Sequence, residues 1–318
     1  MDAALFVLGL LLLWGSSEVI IRNITPLARF LGVKELVVTV LGVSVLSSLP
    51  ELTVSAFAIA RGASDISVGN VIGSNFVTLT FVTAVCALFH PIDIHREVQE
   101  RESSWMILSS ALVLILSMDG LLSRSDGCIL IILYVPYIIS VLRTAREGAE
   151  PRIQGISRFR AVYLPLVLIL VGIAGVIGSS KLALDSGTRL AEAAGISALA
   201  MGVVLFAFGT SLPELAISLS ATLKRKADVT IGEVYASNIF TQMVVLGICC
   251  LISPIAVSSS MLSFAMPFLV LATVVIQLFV TSNLRITRLE AVGLLLFYAV
   301  FAASQFFDLP GVDSVLGF

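Results

Sequence analysis

Two short stretches of the 318-residue sequence set a carboxylate beside a proline inside long apolar runs: Ser47-Ser48-Leu49-Pro50-Glu51 and Thr210-Ser211-Leu212-Pro213-Glu214. An ionisable side chain at membrane depth is costly and reads as an ion or proton site. Proline has no N–H and clashes with the carbonyl four residues back, which frees backbone carbonyls that lipid cannot satisfy and a cation can. Acid and helix break therefore predict a single device. Two neighbouring buried carboxylates do not both ionise unless a cation sits between them. The pair Glu51 and Glu214 thus predicts a divalent-ion site, or one that holds protons or smaller cations instead. The hydroxyls of Ser47, Ser48, Thr210 and Ser211, and the carbonyls freed by Pro50 and Pro213, are further hard-oxygen ligands.

A second pair of stretches offers a matching face. Gly69 to Asn75 with Thr78, and Gly232 to Asn238 with Thr241, place Ser74 and Thr78, and Ser237 and Thr241, four apart on one helix side. One such hydroxyl alone would read as a bond to its own helix. Recurring in both halves around two acids, the set reads as coordination, with Asn75 and Asn238 in support. Glu233 replaces Asn70 in the second copy and is expected close to the aqueous mouth. Glu18 and Lys181 lie near span ends, where they reach water and cannot neutralise the glutamates. The four cysteines sit in apolar segments without metal-ligand spacing and read as small hydrophobes. His90 and His95 flank Pro91 in a charged connection and read as interfacial loop residues.

The elements that must hold these residues follow from composition. With 58% hydrophobic and 13% charged residues and a mean hydropathy of +1.06, the chain is not a soluble globule. A net charge of -2 points to no nucleic acid or other strongly charged partner. Ten apolar spans are predicted: about 3 to 22, 36 to 60, 67 to 89, 104 to 122, 126 to 143, 161 to 184, 196 to 223, 229 to 252, 261 to 281 and 287 to 306. The first is read as a transmembrane helix and not a signal peptide, because Asp2 stands where a basic start is needed. At 1.5 Å per residue Glu51 lies roughly 21 Å along its span from Val37 and about 15 Å from Arg61, near the middle of the hydrocarbon.

Of nineteen Lys and Arg, only Arg61, Arg124, Lys181 and Arg189 fall on one side of this ten-span arrangement. By the positive-inside rule that side is outer, so both termini are expected to be extracellular and the protein multi-pass in the cell membrane. A shift of 163 residues lays the second half on the first without a gap through the first three spans of each: Gly9 on Gly172, Gly15-Ser16-Ser17 on Gly178-Ser179-Ser180, Ser48 to Leu52 on Ser211 to Leu215, and Ser74-Asn75 on Ser237-Asn238. An odd number of spans per copy makes the two enter the membrane from opposite sides. The expected fold is all-α and integral to the membrane, ten transmembrane helices as two inverted-topology five-helix repeats. Residues 1–143 form the first repeat, 144–160 a cytoplasmic connection and 161–318 the second repeat.

Ser48-Leu49-Pro50-Glu51 and Gly209 to Glu214, together with Gly69-Asn70 through Ser74-Asn75 and Ser237-Asn238, resemble the two alpha-repeats of the sodium/calcium exchanger branch of the cation/calcium exchanger superfamily. The resemblance implies a calcium site flanked by sodium sites, with Glu51 and Glu214 as the calcium carboxylates and Ser47 and Thr210 as carbonyl donors to the same ion. It implies Ser48, Ser74, Ser211 and Ser237 as sodium ligands, and the first and sixth spans as a sliding pair. The implied function is a secondary antiporter exchanging calcium for sodium by alternating access, with calcium and sodium as transported ions, the bilayer as surroundings, and no cofactor or protein partner. The chain departs from the pattern in three places. Leu46 and Ser47 stand where the second copy has Gly209 and Thr210. Thr78 and Thr241 stand where the family usually has Asn or Asp.

Three other readings remain at this point. A calcium/proton exchanger needs only the two glutamates, as holders of one calcium or two protons. A cation channel would also use a ring of acids and hydroxyls, although channels more often repeat by rotation about the membrane normal. An intramembrane hydrolase lacks a base near any repeat serine, so the chain does not read as an enzyme.

Overall fold

The computed structural model describes residues 2–31, 42–94, 96–145 and 162–305. They are almost wholly helical, as an apolar chain must be where lipid offers the backbone no hydrogen-bond partner. Helix α1 (Asp2–Leu31) is followed by the short α2 (Ser44–Ser47) and by α3 (Leu49–Ala60). Helices α4 (Ser64–Val77) and α5 (Thr83–Phe89) are joined by a wide π-type turn over Thr78–Val82. Helices α6 (Arg96–Leu116) and α7 (Arg124–Ala145) close the first half.

The second half opens with α8 (Leu164–Ala194). A turn at Ala198–Ala200 and a π segment over Met201–Phe206 lead into α9 (Ala207–Thr210) and α10 (Leu212–Leu223). Then α11 (Ala227–Phe240), another π turn over Thr241–Val245, and α12 (Leu246–Ile252) repeat the earlier pattern. A π turn at Met261–Ala265 precedes α13 (Met266–Asn283), and α14 (Arg288–Ser304) ends the described chain.

Six helical stretches among the described residues are long and apolar enough to cross a membrane. Ala198–Thr210 with Leu212–Leu223, bent by 43° at the break, makes a seventh, and Leu49–Ala60 and Glu102–Leu116 are shorter apolar helices. The expected second span is described only from residue 42 onward, and most of the expected connection 144–160 lies outside the described residues, as does His95. Helix α8 runs well past the expected end at 184. Hydropathy falls there, through Asp185, Arg189 and Glu192, but no helix breaker appears until Gly195 takes the left-handed conformation at φ 66° as C-cap.

Burial separates a centre from a periphery. The apolar windows of Ser64–Phe89 and Val229–Ile252 are 83% and 78% buried, against 28% for those of α1 and α8. Those outer two helices pack along each other closely enough that a Cβ at Gly9 would lie 2.9 Å from the Ala183 backbone. In the centre, α4 lies against the Met201–Phe206 segment, where a Cβ at Gly202 would come within 2.9 Å of the Ile66 carbonyl. A side chain there would push the second helix break away from α4.

Two short antiparallel ladders tie the halves together. Strand β1 (Ile92–Asp93) pairs with β4 (Arg285–Ile286), and β2 (Leu121–Leu122) pairs with β3 (Ile255–Ala256). An Arg285–Asp93 ion pair at 3.1 Å reinforces the first ladder. Arg61 pairs with Asp185, and Arg189 with Asp2 at 2.8 Å. All of these are partly exposed and each contributes below about 1 kcal/mol.

Candidate ion-binding site

Both helix breaks have the same shape because both have the same cause. Pro50 and Pro213 occupy the first turns of α3 and α10 and carry no N–H, so the preceding helix cannot run through. Ser48 (φ -84°, ψ 8°) and Ser211 (φ -82°, ψ 6°) take up the change of direction. The negative ends of α2 and α9 therefore stop where the next helices begin, and helix C-termini favour cations. Glu51 and Glu214 stand in the first turns of the following helices, each 1% exposed.

The two glutamates line one small cavity. Its other walls are Ser48, Ser74, Thr78, Ser211, Ser237, Asn238 and Thr241. Both carboxylate oxygens of Glu51, Oε2 of Glu214 and the Ser211 hydroxyl have no hydrogen-bond partner. The single Ser48 hydroxyl hydrogen is shared between the Ser44 carbonyl at 2.9 Å and Glu214 Oε1 at 3.2 Å. Ionised carboxylates left this way cost several kcal/mol each. They are tolerable where a cation or protons occupy the space between them.

The hydroxyls are turned to suit a cation. Ser74 donates to the Val71 carbonyl at 3.0 Å and Ser237 to that of Val234 at 3.2 Å. Thr78 and Thr241 likewise donate to the carbonyls of Ser74 (2.9 Å) and Ser237 (3.0 Å). A hydroxyl whose hydrogen is spent on its own helix shows the cavity only lone pairs. Each threonine is also gripped from the opposite half: Asn238 Nδ2 donates to Thr78 at 2.7 Å, and Asn75 Nδ2 to Thr241 at 2.9 Å. Thr78 and Thr241 open the two π turns, whose extra residue per turn re-aims side chains and recurs at functional sites.

Ser47 and Thr210 are fully buried beside the cavity but do not line it with their hydroxyls. Thr210 donates to Asn70 Oδ1 at 3.2 Å, and Ser47 to Glu233 Oε1 at 2.9 Å.

Glu233 is not at an aqueous mouth as expected. It is fully buried, and Ser44 donates to its Oε2 at 2.6 Å while Ser47 holds the other oxygen. The expectation failed because its partners come from α2, 189 and 186 residues away in sequence. Several other buried groups at the site were not singled out from sequence. Asn70 donates to Ser55 at 2.9 Å and to the Glu51 carbonyl at 3.3 Å. Gln242 bridges Asn75 Oδ1 (3.0 Å) and Ser110 (3.1 Å), and Ser110 also meets Thr273 at 3.2 Å. Polar residues inside the expected spans were the available signal.

Glu18 pairs with Arg22 at 2.6 Å on an exposed face, so it is no partner for the buried acids. Cys86, Cys249 and Cys250 are buried free thiols, and Cys128 is exposed. His90 Nδ1 lies 3.2 Å from the neighbouring Pro91 carbonyl oxygen.

A multi-pass helical protein with a buried, oxygen-lined cavity at two helix breaks belongs to the class of membrane ion transporters. The family described as sodium/calcium exchanger protein matches residues 1–143 and 164–307, and the chain belongs to it. The chain is 33% identical to the inner membrane protein YrbG of Escherichia coli over 259 residues, 79% of this chain and 80% of that one. It is 25% identical to the sodium/calcium exchanger MaX1 of Methanosarcina acetivorans, with 95% and 98% covered. A solved structure of the sodium-calcium exchanger NCX_Mj, soaked with sodium and calcium, superposes with a TM-score of 0.72 at 29% identity, covering 95% of this chain and 98% of that chain. Members of an exchanger family are transporters and not enzymes.

Proposed function

We propose that this protein is a secondary antiporter that exchanges calcium for sodium at a midplane site, by alternating access between two inverted five-helix repeats (1–143 and 161–318) that together make ten spans. The observation that carries this reading is the cavity itself, where two carboxylates rich in unpartnered oxygens lie among the hydroxyls of Ser74, Thr78, Ser237 and Thr241, which present lone pairs. Glu51 and Glu214 take calcium, with the Ser47 and Thr210 carbonyls. Ser48, Ser74, Ser211 and Ser237, with Thr78 and Thr241, serve sodium. The reciprocal bonds from Asn238 to Thr78 and from Asn75 to Thr241, and the two ladders that exchange partners between halves, support the inverted repeat. The names of MaX1 and NCX_Mj support the ion pair.

The test is calcium uptake into proteoliposomes under an imposed sodium gradient and, separately, an imposed pH gradient. Uptake driven by sodium is expected. Uptake driven only by the pH gradient would replace sodium with protons, a second reading favoured by the three carboxylate oxygens that have no hydrogen-bond partner. No uptake under either would sink the antiport.

The proposal also sets both termini outside and the connection 144–160 in the cytoplasm of a cell-membrane protein. A cysteine placed at Ser157 should stay unlabelled by an impermeant thiol reagent in intact cells. Labelling from outside would invert the topology.

A further inference from the structure

Asn75 and Asn238 do the same work with their nitrogens. Each Nδ2 donates to a carbonyl four residues back on its own helix, Val71 at 2.6 Å and Val234 at 2.5 Å, and to the threonine of the opposite half. Their oxygens differ. Asn75 Oδ1 accepts from Gln242 Nε2 at 3.0 Å. Asn238 Oδ1 has no hydrogen-bond partner, although the residue is 1% exposed and lines the ion cavity.

The two halves differ at the position that supplies this donor. Leu79 stands where the second half has Gln242; it is fully buried and has no donor to offer. The amide cannot be turned over to hide the oxygen, because the contact to the Val234 carbonyl needs a donor. A buried carbonyl-type oxygen without a partner costs about 1–3 kcal/mol. The unspent Ser211 hydroxyl also lines the cavity, yet it does not bond Asn238 Oδ1, since neither atom has a partner, and the remaining lining groups are oxygen ligands. Of the groups that could satisfy it there, a hard cation is the one the surroundings also favour.

We propose that Asn238 Oδ1 is a direct ligand of a hard cation in the cavity, sodium or calcium, whereas Asn75 only positions Thr241. This rests on the reading of the cavity as a cation site. A neutral carboxamide adds a coordination bond without adding charge, so it makes the Thr78 side of the cavity the better-ligated one. Asn238 therefore has two functions: its nitrogen fixes Thr78, and its oxygen binds.

The two asparagines are each other's control. Asn238→Ala and Asn75→Ala each remove the amide and its grip on a threonine, but only the first removes a ligand. In purified full-length protein, calcium titrated alone and sodium titrated as its competitor separate the two ions. Asn238→Ala is expected to weaken at least one of them about tenfold or more beyond Asn75→Ala. Leu79→Gln, which supplies the missing donor, should weaken the same ion while leaving thermal stability intact. Equal losses in the two alanine variants would mean that both asparagines only position threonines. Should Asn238→Ala fail to fold, Leu79→Gln carries the test, and wild-type affinity in that variant overturns the proposal. A wild-type protein that bound neither ion would be a different failure, that of the cation site itself.

Discussion

Glu51→Gln and Glu214→Gln are each expected to lower calcium transport by at least about 100-fold while the protein still folds and inserts. The exchange keeps the shape of the side chain and removes one of the two charges facing the cavity. Truncating one member of a desolvated charge pair costs about 2–5 kcal/mol, and each 1.4 kcal/mol is tenfold in affinity. The two variants should differ in ion-free stability. Glu51 has both oxygens without partners, whereas Ser48 shares its hydrogen with Glu214, so Glu51→Gln removes the less compensated of the two acids. It should raise the melting temperature of the calcium-free protein more than Glu214→Gln does. Uptake in proteoliposomes and melting in detergent, with and without calcium, measure both effects. A variant that still exchanged calcium at near wild-type rate would remove that residue from the site.

The sequence made the acids legible and left most of their surroundings illegible, for physical reasons. Proline followed by glutamate in an apolar run is a local signal, and so is the four-residue spacing of Ser74 with Thr78 and Ser237 with Thr241. The cavity indeed gathers these around Glu51 and Glu214. The 163-residue shift doubled each signal, which is how single hydroxyls rose above the background of helix back-bonds. Partners set by packing left no local trace. Nothing near Glu233 in sequence points to Ser44, and nothing near Gln242 points to Ser110. The π turns at Thr78 and Thr241 were equally hidden, since winding depends on what the extra carbonyl finds; Thr83 donates to the Thr78 carbonyl at 3.0 Å. Helix ends were misjudged where charge rather than a breaker ended the hydropathy, as after Leu184. Differences between the copies, Asn70 against Glu233 and Leu79 against Gln242, mark where the hydrogen-bond partners of the two halves differ.

Removing both Ser44 and Ser47 hydroxyls, as Ser44→Ala/Ser47→Ala, is expected to destabilise the protein by about 3–5 kcal/mol, the usual cost of leaving a buried charge without partners. The two bonds go to different oxygens of Glu233 and are short, 2.6 and 2.9 Å. An ionised carboxylate accepts at both oxygens in this arrangement, and the stability cycle below tests that state, because a neutral acid would instead donate from one of them. The first half is built for this. Where the second half has Ala207 and Thr210 around Asn70, the first has Ser44 and Ser47 around Glu233. The three residues form a matched set that clamps α2 to α11, and through it holds the Ser47 end of the helix break in place. Adding Glu233→Met to the double alanine variant takes away the stranded charge and keeps the length of the side chain, so more than half of the lost stability should return. Equilibrium unfolding of the ion-free protein in detergent measures the cycle. A double alanine variant within about 1 kcal/mol of wild type, or one that the methionine fails to rescue, would mean that Glu233 is not held as a charge by these two serines.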